Sequence, residues 1–480
     1  MESLKTIKYL FVSLLLIFAF SSCSKKTEYT HAIPSDVTTV ASIDVKSIAE
    51  KSGINDEENS TLKQHLTDAL KNGLNEETTD QLSKIMEKPS KSGFDFEKPV
   101  YYFVSKGFNS VPVVDLPVDD RGDLNKTVKA LSKSNLCTEP QETDHFSYTV
   151  FNGRFVLAYN KGTALFVHSP EGATDKILLL LDKVMTEKKE ESFCVSPAYN
   201  KLQERKGEIK FYENIETLAF GGDISFNNGS VVIQVEKMQG KNTTATPDRS
   251  FQPITNVLLD RFPKSTPFVL SMGINGSESY KELATAVGLD SEESPFIQKL
   301  MTSLQGDVTI GLNEWNSKKC TFIAYAQVKD AAAIRSLANM KGAFGGTFKK
   351  LGASDFQYHV MDSYIWFGLD GNLLYITNDG TWTNNKFKLS GGDKGVYLQN
   401  PAAAQAKGKR LYFQADPIAI LMLVPSGSAS LVPAAAVQNI SYIRGYDVSP
   451  TAWRVEMAMK DKSSNSLKQI VKIARQIVGM

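Results

Sequence analysis

The sequence predicts an α+β protein built from two copies of one module, each a mainly antiparallel sheet with helices packed on one face. Three observations carry this. Short strands rich in Val, Tyr and Phe alternate with amphipathic helices, the pattern of a sheet layered with helices. Turns of hairpin chemistry join many of the strands, as at Asn160-Lys161-Gly162 and Asp370-Gly371-Asn372, so neighbours run antiparallel. Finally, the landmarks of residues 31–245 return in the same order over residues 253–480.

Taken in order, the first module opens at Ile33-Pro34, with a strand from Thr38 to Val45 and a helix from Lys46. Its counterpart opens at Phe262-Pro263, with a strand from Pro267 to Ile274 and a helix from Ser277. A helix expected from about Thr61 to Glu87, broken near Gly73, has no equally long counterpart. The strand Val111 to Val118 then ends at Asp119-Asp120 and a helix carrying Leu124, Val128 and Leu131. Cys320 to Val328 likewise ends at Lys329-Asp330 and a helix carrying Ile334, Leu337 and Met340. Phe146 to Val150 answers to Phe356 to Val360, and each is followed by two further short strands. These are Arg154–Tyr159 with Thr163–Val167, and Tyr364–Gly368 with Leu373–Thr377. Late in each half comes a lysine-glycine strand, Gly207 to Tyr212 and Gly408 to Phe413. Hairpins at Gly222–Ser225 and Tyr446–Ser449 close the two modules.

Lys241 to Ser250 is polar and contains proline, which places the linker at residues 246–252. The second module holds an insertion at about 418–440, the most apolar stretch beyond the leader. Pro425 and Pro433 break it, so it is expected as a strap on its own sheet or an apolar lip for a partner, and not as a membrane span. A last helix, capped by Ser463 or Ser464, carries Leu467, Ile470, Val471, Ala474, Ile477 and Val478 as one stripe.

The leader points to a compartment. Lys5 and Lys8 precede an apolar run from Tyr9 to Phe20, and Phe20-Ser21-Ser22-Cys23 closes it with small residues before a cysteine. A plain signal peptide has no use for that thiol, whereas a lipoprotein signal needs it as the acceptor of a diacylglyceryl group. Residues 1–22 thus read as a lipoprotein signal peptide and residues 23–30 as a lipidated tether. Acyl chains at roughly 0.8 kcal/mol per buried CH2 anchor such a chain to one leaflet. The run falls short of the about 20 residues needed to span.

Composition narrows the functions. Apolar residues make up 42% and charged residues 22%, so the chain folds instead of remaining disordered. Lys plus Arg number 54 against 53 for Asp plus Glu, which offers no basic excess for nucleic acid. Beyond Cys23 only Cys137, Cys194 and Cys320 remain, without a C-x-x-C. That allows at most one bridge, Cys137–Cys194, against separate thiols, and Cys320 heads an apolar run and reads as core.

Chemistry is sparse. His31, His65, His145, His168 and His359 show no H-E-x-x-H spacing, His31 falling in the tether, His65 on a polar helix and the last three bordering strands. No G-x-S-x-G or phosphate-binding loop is present, and Ser60-Thr61-Leu62-Lys63 lacks the companions of an S-x-x-K enzyme. Asp115, Asp119, Asp120 and Asp123 form an oxygen-rich group at a strand end, a weak metal candidate for which helix capping is the simpler reading. Trp315, Trp382 and Trp453 are the candidates for stacking a sugar, with packing in a sheet core as the simpler alternative. No cofactor is expected.

Cys23, the spacer Ser24-Lys25-Lys26-Thr27-Glu28, the Ile33-Pro34 opening and the chain length together resemble the large lipoproteins of Bacteroides-type bacteria grouped as domain of unknown function 4836. The resemblance implies a compartment and a shape, and no catalytic residues. It favours the outer membrane, with Lys25 and Lys26 departing from the acidic stretch that marks surface export, so either face remains open. The resulting expectation is a lipid-anchored, non-enzymatic binding or scaffold protein with a glycan or envelope-protein partner. The alternatives are a carboxylate-based hydrolase working in the cleft between modules, and an envelope-assembly or chaperone-like factor using the apolar insertion.

Overall fold

The computed structural model describes residues 29–56, 64, 68, 73–108, 110–169, 174–215, 218–238, 250–255, 257–262, 266–287, 295–315, 320–336, 346–360, 363–380, 403–417 and 437–478. The leader, Cys23, the expected 246–249 part of the linker, Trp382 and residues 418–436 of the apolar insertion lie outside these. The chain divides into two compact units, Met1–Thr244 with Lys462–Met480, and Ala245–Asp461.

The first unit begins with β1 (Val37–Ile43), α1 (Val45–Ser52), α2 (Glu76–Glu87), β2 (Val100–Ser105), β3 (Pro112–Pro117) and α3 (Arg121–Lys133). It continues with β4 (Gln141–Glu142), β5 (Ser147–Phe151), β6 (Phe155–Tyr159), β7 (Thr163–His168), α4 (Thr174–Met185) and α5 (Pro197–Glu204). A three-stranded end follows, β8 (Ile209–Ile215), β9 (Leu218–Asn227) and β10 (Ser230–Met238). Local chemistry explains the helix limits. The Asp44 side chain accepts from Ser47 N at 2.9 Å to start α1, and Gly53 ends it at a φ of 66°, where a Cβ would be strained.

The second unit holds β11 (Phe251–Gln252), β12 (Phe268–Asn275), α6 (Gly276–Val287), α7 (Pro295–Ser303), β13 (Leu304–Trp315), β14 (Cys320–Val328) and α8 (Ala331–Ser336). Then come β15 (Thr347–Lys350), β16 (Asp355–Val360), β17 (Ser363–Asp370), β18 (Leu373–Thr377), β19 (Leu411–Ala415), β20 (Ile440–Ser449) and β21 (Ala452–Met459).

Strand pairing shows the duplication directly. Every pair within each unit's sheet is antiparallel, and the first sheet runs β10-β9-β8-β1-β2-β3-β7-β6-β5-β4. The second runs β21-β20-β19-β12-β13-β14-β18-β17-β16-β15. Position by position, these are the same strands in the same chain order, with β11 added beside β12. The α+β class and the repeated module are therefore as the sequence predicted.

Packing goes further than one covered face. Successive strand residues point to opposite sides of a sheet. In β6, Val156 and Ala158 join a core with Ile177, Leu181 and Val184 of α4, while Leu157 and Tyr159 join another with Leu124 and Val128 of α3. The second unit divides likewise, Tyr325 and Leu373 on one side, Ala326 and Leu374 with Ile334 of α8 on the other.

The end of the chain differs from expectation. The second module was expected to run to residue 480, yet Lys462–Met480 belongs to the first unit. There α9 (Ser466–Val478) lies against α1, β9 and β10. Asn465, and not Ser463 or Ser464, supplies the cap, accepting from Leu467 N at 2.9 Å and donating to Phe226 O at 3.0 Å. Lys468 pairs with Asp56 at 2.7 Å, and Ile473 is buried. An amphipathic stripe states that a helix buries one face; it does not name the surface that receives it.

Removing residues 462–480 is therefore expected to loosen the first unit. Hydrogen-exchange mass spectrometry should show protection falling in α1, β9 and β10, with a thermal transition lower by at least about 5 °C.

Candidate functional site

Five pieces of the first unit surround a cavity of about 470 Å³. A single helical turn, Tyr29–Ala32, delivers Tyr29 and His31. The start of α3 delivers Arg121, and the β6–β7 turn delivers Lys161 and, at its end, Thr163. Glu187, just beyond α4, closes the ring with His145. The β6–β7 turn is held by Asn160, whose Oδ1 accepts from Gly162 N at 2.9 Å and Thr163 N at 3.0 Å.

Behind the cavity wall lies Asp115, in the middle of β3 and 0% exposed. Thr163 Oγ1 donates to its Oδ1 at 2.5 Å, and Oδ2 has no partner among the described residues. Across the ladders Asp115 faces Tyr101 and Leu165. Burial raises its carboxyl from the ordinary 3.8 to about 8, with the Thr163 hydrogen bond opposing. Burial also lifts the Tyr29 and Tyr101 phenols, and Asp115 adds to the rise at Tyr29. Tyr29 donates to Pro99 O at 2.6 Å, and its ring lies 5.9 Å from that of Tyr101.

The rim charges are in two states. Arg121 is committed, donating to Glu142 at 2.7 Å and Ser147 Oγ at 2.6 Å. His145 Nδ1 stands 2.7 Å from Asp182 Oδ1. Glu187 has Oε2 shielded from solvent with no partner among the described residues, and burial holds its carboxyl above the ordinary range.

The second unit supplies an internal comparison. Asp115 opposite Leu165 corresponds to Tyr325 opposite Tyr375, and Thr163, which opens β7, to Leu373, which opens β18. Tyr29 corresponds to Leu258 in the turn before Phe262, since Ile33 N and Phe262 N make the same bond to Thr30 O and Leu259 O. Arg121 follows the capping Asp120, as Ala331 follows the capping Asp330. Leu258, Tyr325, Leu373 and Tyr375 all belong to one apolar core. The same sheet thus stands with an apolar set where the first unit is polar.

The other sequence candidates are dispersed. The fold separates Asp115 from the acidic group: Asp120 Oδ1 caps α3 by accepting from Asp123 N at 2.9 Å. Asp123 pairs with Lys126 at 2.8 Å and Lys91 at 3.5 Å, and the Lys126 hydrogen bond holds its carboxyl below the ordinary range. Asp119 is fixed through its backbone N, which donates to Gly93 O. Among the described residues no three His, Cys, Asp or Glu are grouped as a cation would require. Trp315 ends β13, and Trp453 is half-buried in β21 opposite Asp447. Cys137, Cys194 and Cys320 are free thiols. Contrary to the core reading, Cys320 is exposed, because it is the first residue of β14 and Thr321 takes the inward position. Among the described residues no helix is long and apolar enough to cross a membrane.

The sequence profile of one family, the domain of unknown function DUF4836, matches residues 29–228 and again 248–467. This chain belongs to that family. The second matched stretch of the DUF4836 chain spans its whole sheet, and the first spans β1 to β9 and stops just before β10. Comparison with curated proteins gives no match. Crystal form I of TP0453 is 9% identical at a TM-score of 0.27, covering 46% of this chain and 81% of that one. Form III is 10% identical at 0.27, covering 47% and 84%. At those scores neither bears on the fold or function of the DUF4836 chain.

The raised Asp115 carboxyl makes a signed prediction. Folding favours its neutral form, so the associated stability is whole below the unfolded value near 3.8 and is lost as pH climbs to about 8. Asp115→Asn should remove this slope. In urea titrations the variant should match the natural protein near about pH 4 and exceed it by on the order of a few kcal/mol above about pH 8.

Proposed function

We propose that this protein is a lipid-anchored envelope lipoprotein, held at the outer membrane through Cys23, whose first unit binds a small polar ligand without transforming it. One observation carries the binding reading. At matched positions of the two copies of one sheet, the first has a buried acid, a hydroxyl and a guanidinium beside a cavity, where the second has Tyr325, Leu373 and Ala331. A buried carboxyl that the fold does not need is costly, which supports a role in recognition. The cavity volume also suits a small molecule. The hydrolase alternative drew on four aspartates that are divided between a strand core and a helix start.

The anchor is supported by the leader and is tested separately. Cys23→Ala should abolish incorporation of labelled palmitate and release the protein from the membrane fraction; unchanged labelling would remove the anchor from this reading. For the pocket, Lys161→Met is the informative variant, since Lys161 stands exposed on the cavity wall and makes no ion pair among the described residues. It should leave stability within about 1 kcal/mol while weakening ligand binding roughly ten-fold or more. Ligands retained by the purified protein, identified by mass spectrometry and titrated back, would measure this.

A further inference from the structure

Two charges on the cavity wall are uncommitted, and they have opposite signs. Glu187 carries a carboxyl oxygen shielded from solvent that receives no hydrogen bond among the described residues. Lys161 stands exposed on the β6–β7 turn and makes no ion pair among the described residues. The neighbouring charges are engaged, Arg121 with Glu142 and His145 with Asp182. Resting on the reading of this cavity as a ligand site, we propose that its ligand is a small zwitterion. Its ammonium is held by Glu187 and its anionic group, carboxylate or phosphate, by Lys161.

The reasoning is one of satisfaction. A carboxylate on the wall without a hydrogen-bonding partner is stabilised most by a charged donor, and an ammonium brings three N–H groups in little volume. A ligand that carried only this positive charge would leave Lys161 unmatched, and an anion alone would face Glu187 unfavourably. A molecule with both signs answers both walls at once. Thr163 fits the same picture. It lines the cavity, and with its hydroxyl hydrogen directed to Asp115 its oxygen retains the capacity to accept. The cavity of about 470 Å³ has room for a dipeptide or a phosphoethanolamine headgroup.

The test uses the full chain with two zwitterions, alanyl-alanine for a peptide source and glycerophosphoethanolamine for a lipid headgroup. Binding is followed through the methyl signal of Met185, which lines the cavity and is assigned with Met185→Leu. At least one zwitterion should shift that signal, and the tighter of the two identifies the source. Acetylating the amine of alanyl-alanine, or amidating its carboxylate, should each weaken binding roughly ten-fold or more. Glu187→Gln should erase the preference for the free amine alone, and Lys161→Met the preference for the free carboxylate alone. Doubly blocked alanyl-alanine or maltose binding as tightly as the zwitterions would overturn this inference while leaving the cavity a ligand site. Silence of Met185 toward every one of these probes would overturn both. The comparison of blocked and free peptides needs no variant, so a poorly folding Glu187→Gln does not leave the proposal unexamined.

Discussion

A sheet packed on both faces leaves its central strands no route to water, and this constraint shapes the whole first unit. In β6 and β7 the residues of each register alternate between two cores, so nearly every side chain must be apolar or internally bonded. Asp115 is placed under that constraint in the middle of β3. Its neutral form, its bond to Thr163 and its free Oδ2 all follow from a carboxyl that has nowhere else to turn.

Duplication turns that constraint into a comparison. At the crossing of the second and third strands of the module, the first unit pairs Tyr101 with Asp115, and the second pairs Thr309 with Tyr325. The large ring has moved by one strand while the summed bulk is kept, the kind of exchange a close-packed core tolerates. Thr309 finds Ser271 Oγ at 2.9 Å, whereas the Oδ2 of Asp115 has no partner among the described residues. Packing therefore accounts for the summed bulk at this crossing and not for the acidity of Asp115.

Much of the architecture was legible beforehand because it is written in local chemistry. The hairpin turns at Asn160–Gly162 and Asp370–Asn372 and the acidic helix starts at Asp120 and Asp330 act over a few residues and were found where expected. By contrast Gly222–Ser225, expected as the closing hairpin, lies inside β9, and the chain turns at Asn228-Gly229. The site was less legible. His31 was placed in the tether, yet it lines the cavity, since the turn from Tyr29 to Ala32 is already part of the core. Asp115 was grouped with three aspartates by proximity in sequence, although a strand residue and a helix cap face different surroundings. Glu187 carried no signal at all, because a glutamate following a helix usually faces solvent.

By itself the sequence determined the repeated antiparallel module and its helix starts, because these depend on short-range turn chemistry and period, and its profile marks the chain as a member of the DUF4836 family. Only the tertiary structure decided that Asp115 is buried, that Tyr29, Thr163 and Glu187 meet around one cavity, and that the last helix belongs to the first unit. Those outcomes depend on which distant surfaces come together, and burial is a property of that meeting, which no single segment encodes.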